Sequence, residues 1–284
     1  MKEFRDKVAV ITGAASGIGF GLAEYAAKEG MKVVLADVEE DALEQAENTI
    51  KQLGVETLAI KTDVSKAEDV EALANKTLDI FGGVHLLCNN AGVGAGVFAL
   101  ENSLADWKWV LGVNLWGVIH GVHYFAPIMD KQDTECHIVN TASDAGFFIG
   151  AGIAYTVSKH GIVALSEALY SELEEKGSKL SVSLLCPGFT KTNLIQSERN
   201  RPTELVNQTG EGTETPTPGY QEFIDSAKQL IENGMSPQQV ADMVFDAIKQ
   251  NKFYIIPRPD TCKDRIRARM ENILEERNPT TAII

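Results

Sequence analysis

Short runs of β-branched and apolar residues alternate along this chain with longer stretches of helical periodicity, and that alternation leaves few folds open. Lys7-Val-Ala-Val-Ile-Thr12 reads as a strand, Gly17 to Gly30 as a helix, Lys32-Val-Val-Leu-Ala-Asp37 as a strand and Glu39 to Leu53 as a helix. The pattern then repeats: strand Val55–Lys61 and helix Lys66 to about Phe81, strand Val84–Cys88 and helix Asp106 to about Met129. Strand His137–Asn140 precedes a helix that starts near Tyr155, and strand Leu180–Leu185 follows it. Continuous apolar strands joined by helices must be covered on both faces, which requires a parallel sheet built from right-handed βαβ units. The expected fold class is therefore α/β, a doubly wound parallel sheet of about seven strands with helices on both faces.

The alternation lapses between Phe189 and Pro237, where Glu211-Gly-Thr-Glu-Thr-Pro-Thr-Pro-Gly219 is too polar and too rich in Pro and Gly to pack as a core element. A stretch this long inside a compact domain is usually functional, and residues 189–236 are read as a substrate lid with short helices on either side. A helix from Pro237 to Gln250 and a strand Phe253–Ile256 return to the sheet, and a charged amphipathic helix at about 260–277 ends the chain. All 284 residues are expected to form a single domain, 1–284.

Charge narrows the range of partners. The 40 acidic against 26 basic residues give a net charge of −14, which repels phosphate backbones and anionic membrane surfaces, so neither nucleic acid nor membrane is expected. There is no basic segment followed by an apolar one at the start and no long apolar run anywhere. Cys88, Cys136, Cys186 and Cys262 are widely separated and read as buried free thiols, so the chain is expected in the cytoplasm. The five histidines show no ligand spacing with carboxylates, and no metal is expected.

Two local patterns carry chemistry. The first strand runs into Thr12-Gly13-Ala-Ala-Ser16-Gly17-Ile-Gly19 at the start of a helix. Glycines there permit positive φ and close backbone approach, and a helix N-terminus offers unpaired N–H groups to a pyrophosphate. Asp37 ends the second strand, where a carboxylate can accept from both hydroxyls of an adenosine ribose and repels a 2′-phosphate, so NAD is expected over NADP. The second pattern is Tyr155-Thr-Val-Ser-Lys159, which sets a phenol and an ammonium one helical turn apart. A fixed cation favours the phenolate and lowers a pKa that is otherwise about 10, so such a tyrosine could exchange a proton with an alcohol. Taken in isolation, the pair reads more readily as an aromatic cap on an apolar face beside a solvated lysine.

In their order and content these motifs resemble the short-chain dehydrogenase/reductase family, from about Lys7 to Thr192. Thr12–Gly19 is followed by Asp63-Val64, Asn89-Asn-Ala-Gly92, Asn114 in Val-Asn-Leu-Trp-Gly117, Ser143, Tyr155–Lys159, and Pro187-Gly188 with Thr192. The resemblance implies a Rossmann-like domain with a nicotinamide dinucleotide cofactor. It also implies a catalytic tetrad of Asn114, Ser143, Tyr155 and Lys159: Tyr155 as acid/base, Ser143 holding the substrate oxygen, Asn114 holding a water that relays protons, and Lys159 tuning Tyr155 and binding the nicotinamide ribose. The matching cofactor-binding positions are Gly13, Ser16, Gly17, Ile18, Gly19, Asp37, Asp63, Val64, Asn90, Ala91, Gly92, Tyr155, Lys159, Pro187, Gly188, Thr190 and Thr192. Thr190 departs from the Val or Ile common there, and the last strand lacks the usual glycines.

The expected reaction is hydride transfer between NAD and a secondary alcohol or its ketone. Val93–Phe98, Gly146–Gly152 and Phe189 would wall an apolar site suited to a bulky steroid, terpene or aryl substrate, with core packing of Phe147 and Phe148 the competing reading. An NAD-binding redox-sensing scaffold, or an epimerase or dehydratase on the same fold, are the alternative functions. Family resemblance further implies a homodimer or homotetramer built on the helices Asp106–Met129 and Tyr155–Lys176, which carry Trp107, Trp109, Trp116, Ile162 and Leu169.

Overall fold

A computed structural model describes residues 1–94, 100, 102–149, 152–207, 218–257 and 259–279, with the backbone alone for 218–224 and 259–261. Among these residues the sheet has seven parallel strands in the order β3-β2-β1-β4-β5-β6-β7. They are β1 Val8–Thr12, β2 Lys32–Asp37, β3 Thr57–Lys61, β4 Leu86–Asn89, β5 Cys136–Thr141, β6 Leu180–Leu185 and β7 Tyr254–Ile255. The helices between them are α1 Gly17–Lys28, α2 Glu40–Lys51, α3 Ala67–Phe81, α4 Leu104–Leu111, α5 Gly117–Lys131, α6 Ile153–Lys176, α7 Pro218–Glu232, α8 Pro237–Lys249 and α9 Pro259–Leu274. The doubly wound α/β domain is thus as the alternation requires.

Pleating divides each strand between two cores. In β1, Ala9 and Ile11 join Leu22, Ala26, Phe245 and Ile248 under α1 and α8, whereas Val8 and Val10 join Leu73, Phe125 and Met129 under α3 and α5. Each fully buried side chain of this size contributes about 1.5–3 kcal/mol. Strand order reverses between β1 and β4, which leaves a crevice above the carboxyl ends of the strands, where ligands bind in open α/β sheets.

Three elements differ from the expectation. The fourth strand starts at Leu86 rather than Val84, because the Gln132 side chain takes both backbone groups of Val84: its Oε1 accepts from the amide at 2.8 Å and its Nε2 donates to the carbonyl at 2.7 Å. The helix expected from Asp106 starts earlier, at a capping box in which Ser103 and Asp106 exchange side-chain-to-backbone bonds. It is also interrupted by a π-helical turn, Gly112–Trp116, with Asn114 at its centre.

The described part of the expected lid is held rather than loose. Two 3-10 segments, Leu194–Asn200 and Thr203–Leu205, follow β6. The Arg201 guanidinium lies 4.4 Å over the Trp109 ring and 2.6 Å from Asp106, both members of that ion pair being nearly buried. Most of the polar stretch 211–219 lies outside the described residues, as do 95–98 and 150–151 of the expected substrate walls. Of the aromatic and apolar residues assigned to helix pairing, Trp109 and Ile162 are buried inside this chain and Leu169 packs against its core; Trp116 is 53% exposed. Among the described residues no helix is long and apolar enough to cross a membrane.

Candidate active site

A cleft of about 690 Å³ opens above the carboxyl ends of β1, β4, β5 and β6. Its cofactor end is built from backbone. Gly13 and Gly17 have positive φ, +66° and +55°. A Cβ at Gly13 would sit 2.9 Å from Ala91 Cα, and one at Gly19 would sit 2.0 Å from the Gly13 carbonyl oxygen, so only glycine permits this turn. Thr12 ties the turn to β4: its Oγ1 accepts from the amides of Asn90 at 2.9 Å and Ala91 at 3.1 Å, and its carbonyl accepts from Asn90 Nδ2 at 3.0 Å. Ser16 at the N-cap of α1 makes no side-chain cap bond, and the first turn holds no acid, so the helix N-terminus presents its free N–H groups and positive dipole end to the cleft.

Asp37 lies at the tip of β2, its carboxylate accepting from the amides of Ala15 and Glu39, each at 3.0 Å. Burial raises its pKa, against those backbone bonds. Beside it, Arg199 of the 3-10 segment Leu194–Asn200 forks onto Glu39, with Nη2 2.6 Å from Oε1 and Nε 3.2 Å from Oε2. The pair ties the start of α2 to that segment. Asp63, Val64, Gly92, Pro187, Gly188, Thr190 and Thr192 also line the cleft, with Thr192 close to Gly17. A glycine cradle, an open helix N-terminus and a carboxylate at the second strand together fit a nicotinamide dinucleotide.

Ser143, Tyr155 and Lys159 gather at the other end. Ser143, just past β5, accepts from the Ala145 amide at 3.2 Å and points its hydroxyl at Asp144 Oδ1, 3.0 Å, and the Pro187 carbonyl, 3.3 Å. Lys159 is buried, donates to the Thr141 carbonyl at 2.9 Å and lies 5.3 Å from the Tyr155 ring centroid. Burial lowers the Lys159 pKa to about 8. Burial likewise pushes the Tyr155 phenol up to about 12, with the Ser143 hydroxyl acting the other way and the Asp144 charge adding to the rise. This corrects the expectation of a depressed phenol: in the chain alone, desolvation outweighs the hydrogen bond from Ser143.

Asn114 sits in the π turn with its side chain committed within the chain. Its carboxamide is already engaged, the Oδ1 accepting from the Val93 amide at 2.8 Å and the Nδ2 donating to the Val93 carbonyl at 2.9 Å and to Ser158 Oγ at 3.1 Å. The side chain pins the loop after β4, so a water held by Asn114 would have to bind its backbone in the π turn. The two phenylalanines divide: Phe147 packs edge-on against Tyr254 at 6.1 Å, and Phe148 lines the cleft. Phe189 lines it too and is 38% exposed. His137 is a core residue bonded to Ser183 Oγ at 2.7 Å, and burial lowers its pKa to about 3. All four cysteines are buried and unpaired, and among the described residues no cluster of three His, Cys, Asp or Glu could hold a metal.

Fold and cleft define a dinucleotide-dependent oxidoreductase of the doubly wound class, and comparison with known proteins gives the family. Residues 7–203 match the model for short chain dehydrogenases, and the chain belongs to that family. It is similar to a short chain dehydrogenase/reductase from Burkholderia phymatum whose crystal structure is in complex with NAD, at 45% identity and a TM-score of 0.95 over 100% of both chains. Among curated relatives, the CLA biosynthesis dehydrogenase/reductase of Lactiplantibacillus plantarum is 35% identical, over 92% of this chain and 91% of the relative. The 1-deoxy-11-beta-hydroxypentalenate dehydrogenase of Streptomyces exfoliatus is 33% identical, over 94% and 87%.

Proposed function

We propose that the chain is a cytoplasmic NAD-dependent dehydrogenase/reductase that interconverts a bulky, largely apolar secondary alcohol and its ketone. The observation that carries this reading is the convergence of Ser143, Tyr155 and Lys159 at one end of a cleft whose other end is a glycine-lined dinucleotide cradle. When bound, the nicotinamide would supply the hydride acceptor or donor. Gly13, Ser16, Gly17, Ile18 and Gly19 would hold the pyrophosphate; Asp37 would hold the adenosine ribose; Asp63, Val64, Asn90, Ala91 and Gly92 would flank the adenosine half. Pro187, Gly188, Thr190 and Thr192 would flank the nicotinamide, and Lys159 would hold its ribose.

The chain's own residues handle the proton. Ser143 is fixed between Asp144, Ala145 and Pro187, and would hold the substrate oxygen by a hydrogen bond beside the Tyr155 hydroxyl. Tyr155 takes the alcohol proton during oxidation and returns it to the carbonyl oxygen during reduction. Lys159, anchored on Thr141, stabilises the phenolate, and Asn114 holds the β4 loop against the same helix through Ser158. Phe148, Val93 and Phe189 form apolar walls, and the pentalenate relative is named for a hydroxylated substrate. A panel of hydrophobic secondary alcohols incubated with NAD should give absorbance at the reduced-nicotinamide band; silence across aryl, terpene and steroid alcohols would refute the reading.

The cofactor preference follows from charge. Asp37 and Glu39 stand together at the adenosine end, and the nearby cation, Arg199, is already engaged by Glu39. NAD is expected to exceed NADP in kcat/KM by at least about tenfold, since an uncompensated like charge in a partly buried site costs more than about 1.4 kcal/mol. A preference for NADP would overturn the role of Asp37.

Assembly is part of the same proposal. Trp116, Val157 and Tyr170 are exposed on α5's leading turn and α6, and such surfaces are covered in oligomers. A homodimer or homotetramer is expected, and sedimentation showing only monomer at micromolar concentration would exclude it.

A further inference from the structure

The C-terminal helix contributes a charge to the cleft that the proposed reaction does not use. Cys262 of α9 is buried, and Arg265, less than one turn further on, lines the cleft with its guanidinium carbon 3.7 Å from the Phe148 ring centroid. Arg265 also closes a smaller adjoining cavity of about 210 Å³, whose walls include Phe148, Phe189, Leu230 and Ile256. A guanidinium lying over the Phe148 ring can still turn its edge N–H groups to a planar acceptor, and among the described residues no carboxylate pairs with them.

The other cations of the cleft are committed. Lys66 pairs with Asp63 at 3.5 Å, Arg199 pairs with Glu39, and Lys159 donates to the Thr141 carbonyl. No described carboxylate lies within the 4.0 Å ion-pair limit of Arg265. Asp144 lines both cavities with Arg265; burial raises its pKa, with its bonds from Ser143 and Ala145 and the Arg265 charge acting the other way, and its Oδ1 accepts from Ser143. In a chain of net charge −14, a guanidinium with no ion-pair partner among the described residues, at the rim of a largely apolar cavity, creates a local site for an anion where the rest of the surface repels one.

We propose that Arg265 binds a carboxylate on the substrate, so that the substrate is an apolar hydroxy or keto acid whose body lies along Phe148 and Phe189 and whose reacting carbon lies at Tyr155. This rests on the dehydrogenase reading and adds to it the chemical class of the substrate.

The test compares α-methylbenzyl alcohols bearing para carboxylate, carboxymethyl or carboxyethyl groups with their methyl esters, so that reach is scanned while the reacting carbon stays the same. Wild-type kcat/KM should favour at least one acid over its ester by roughly tenfold to a hundredfold, the range for a charge-assisted hydrogen bond. Arg265→Gln should bring that ratio toward one, through KM, and Arg265→Lys should retain part of it. Binding of the same acids and esters to the NAD-loaded Tyr155→Phe chain, read by calorimetry, supplies the measurement that does not depend on turnover. Acid-selective binding without turnover in the wild type would sink the dehydrogenase reading and leave the anchor standing. Equal affinity for acids and esters, no binding of either, or an Arg265→Gln variant that weakens both alike and keeps their ratio, would overturn the anchor.

Discussion

Tyr155→Phe should lose about 10²- to 10⁴-fold in kcat, the usual contribution of a positioned acid/base, while keeping its fold and its NAD affinity. The ring still packs on α6 against Trp109 and Val93, and only the group that exchanges the proton is removed. Lys159→Ala should be impaired twice: turnover falls because the phenolate loses its cation, and NAD binding weakens because the proposed ribose contact is gone. The two shifts also set the pH behaviour. Burial holds the Tyr155 phenol at about 12 in the chain alone, so the proton is bound at neutral pH and the phenolate required for oxidation is scarce. A group with a raised pKa loses its proton as pH climbs, so oxidation should increase with pH and reduction should fall. With NAD bound, the midpoint should lie below that of free tyrosine, the difference from the cofactor-free value being the work done by the cofactor. A redox-sensing scaffold predicts no turnover to lose and indifference to the hydroxyl. Near-normal kcat in Tyr155→Phe, or an oxidation rate flat in pH, would remove Tyr155 from the mechanism.

How much of this was legible in the sequence depends on how local each signal is. The strands and helices were readable because each announces itself within a few residues, through apolar runs and helical periodicity, and the glycine turn because three glycines and a following acid have few other uses. The positions of Ser143, Tyr155 and Lys159 came from the resemblance, and the structure brings them together at one end of the cleft. What escaped was non-local or atomic in detail. The lid looked structureless because ion pairs hold it, and Arg201 meets Asp106 across 95 residues of chain, a separation at which no periodicity speaks. The π turn at Asn114 depends on one extra residue in a helical register, and composition does not encode it. Phe147 and Phe148 are adjacent and identical, so residue type does not say which one packs on Tyr254 and which lines the cleft. The Tyr155 phenol went wrong in sign because the sequence displays the neighbouring lysine and hides the desolvation. Arg265 was unremarkable in a charged tail until Cys262 was seen to bury that face of α9.

Gly19→Ala should be among the most damaging single methyl groups at the described glycines. A Cβ there would lie 2.0 Å from the Gly13 carbonyl oxygen and 2.7 Å from Asn90 Nδ2, against a floor of 3.0 Å for real contacts, so the turn between β1 and α1 must move by about an ångström. Neither neighbour can yield cheaply. Gly13 has Ala91 packed against it, and Asn90 is bonded to Thr12 through both its amide and its side chain. Overpacking of this kind costs about 1–3 kcal/mol, and here it displaces the N–H groups proposed to meet the pyrophosphate, so NAD affinity should fall by more than about tenfold as well. Gly54→Ala separates the two effects. Gly54 has φ +80° with nothing within 4 Å of a built Cβ, so alanine there should cost about 1–2 kcal/mol in backbone strain and leave NAD affinity as it was. Thermal denaturation with and without NAD reads both quantities on the same sample: Gly54→Ala should lower Tm and keep the NAD-induced rise, whereas Gly19→Ala should lower Tm and lose most of that rise. If Gly19→Ala kept the full rise, the close approach of the turn to the dinucleotide would be refuted, and the cradle would be a feature of helix-to-sheet packing only.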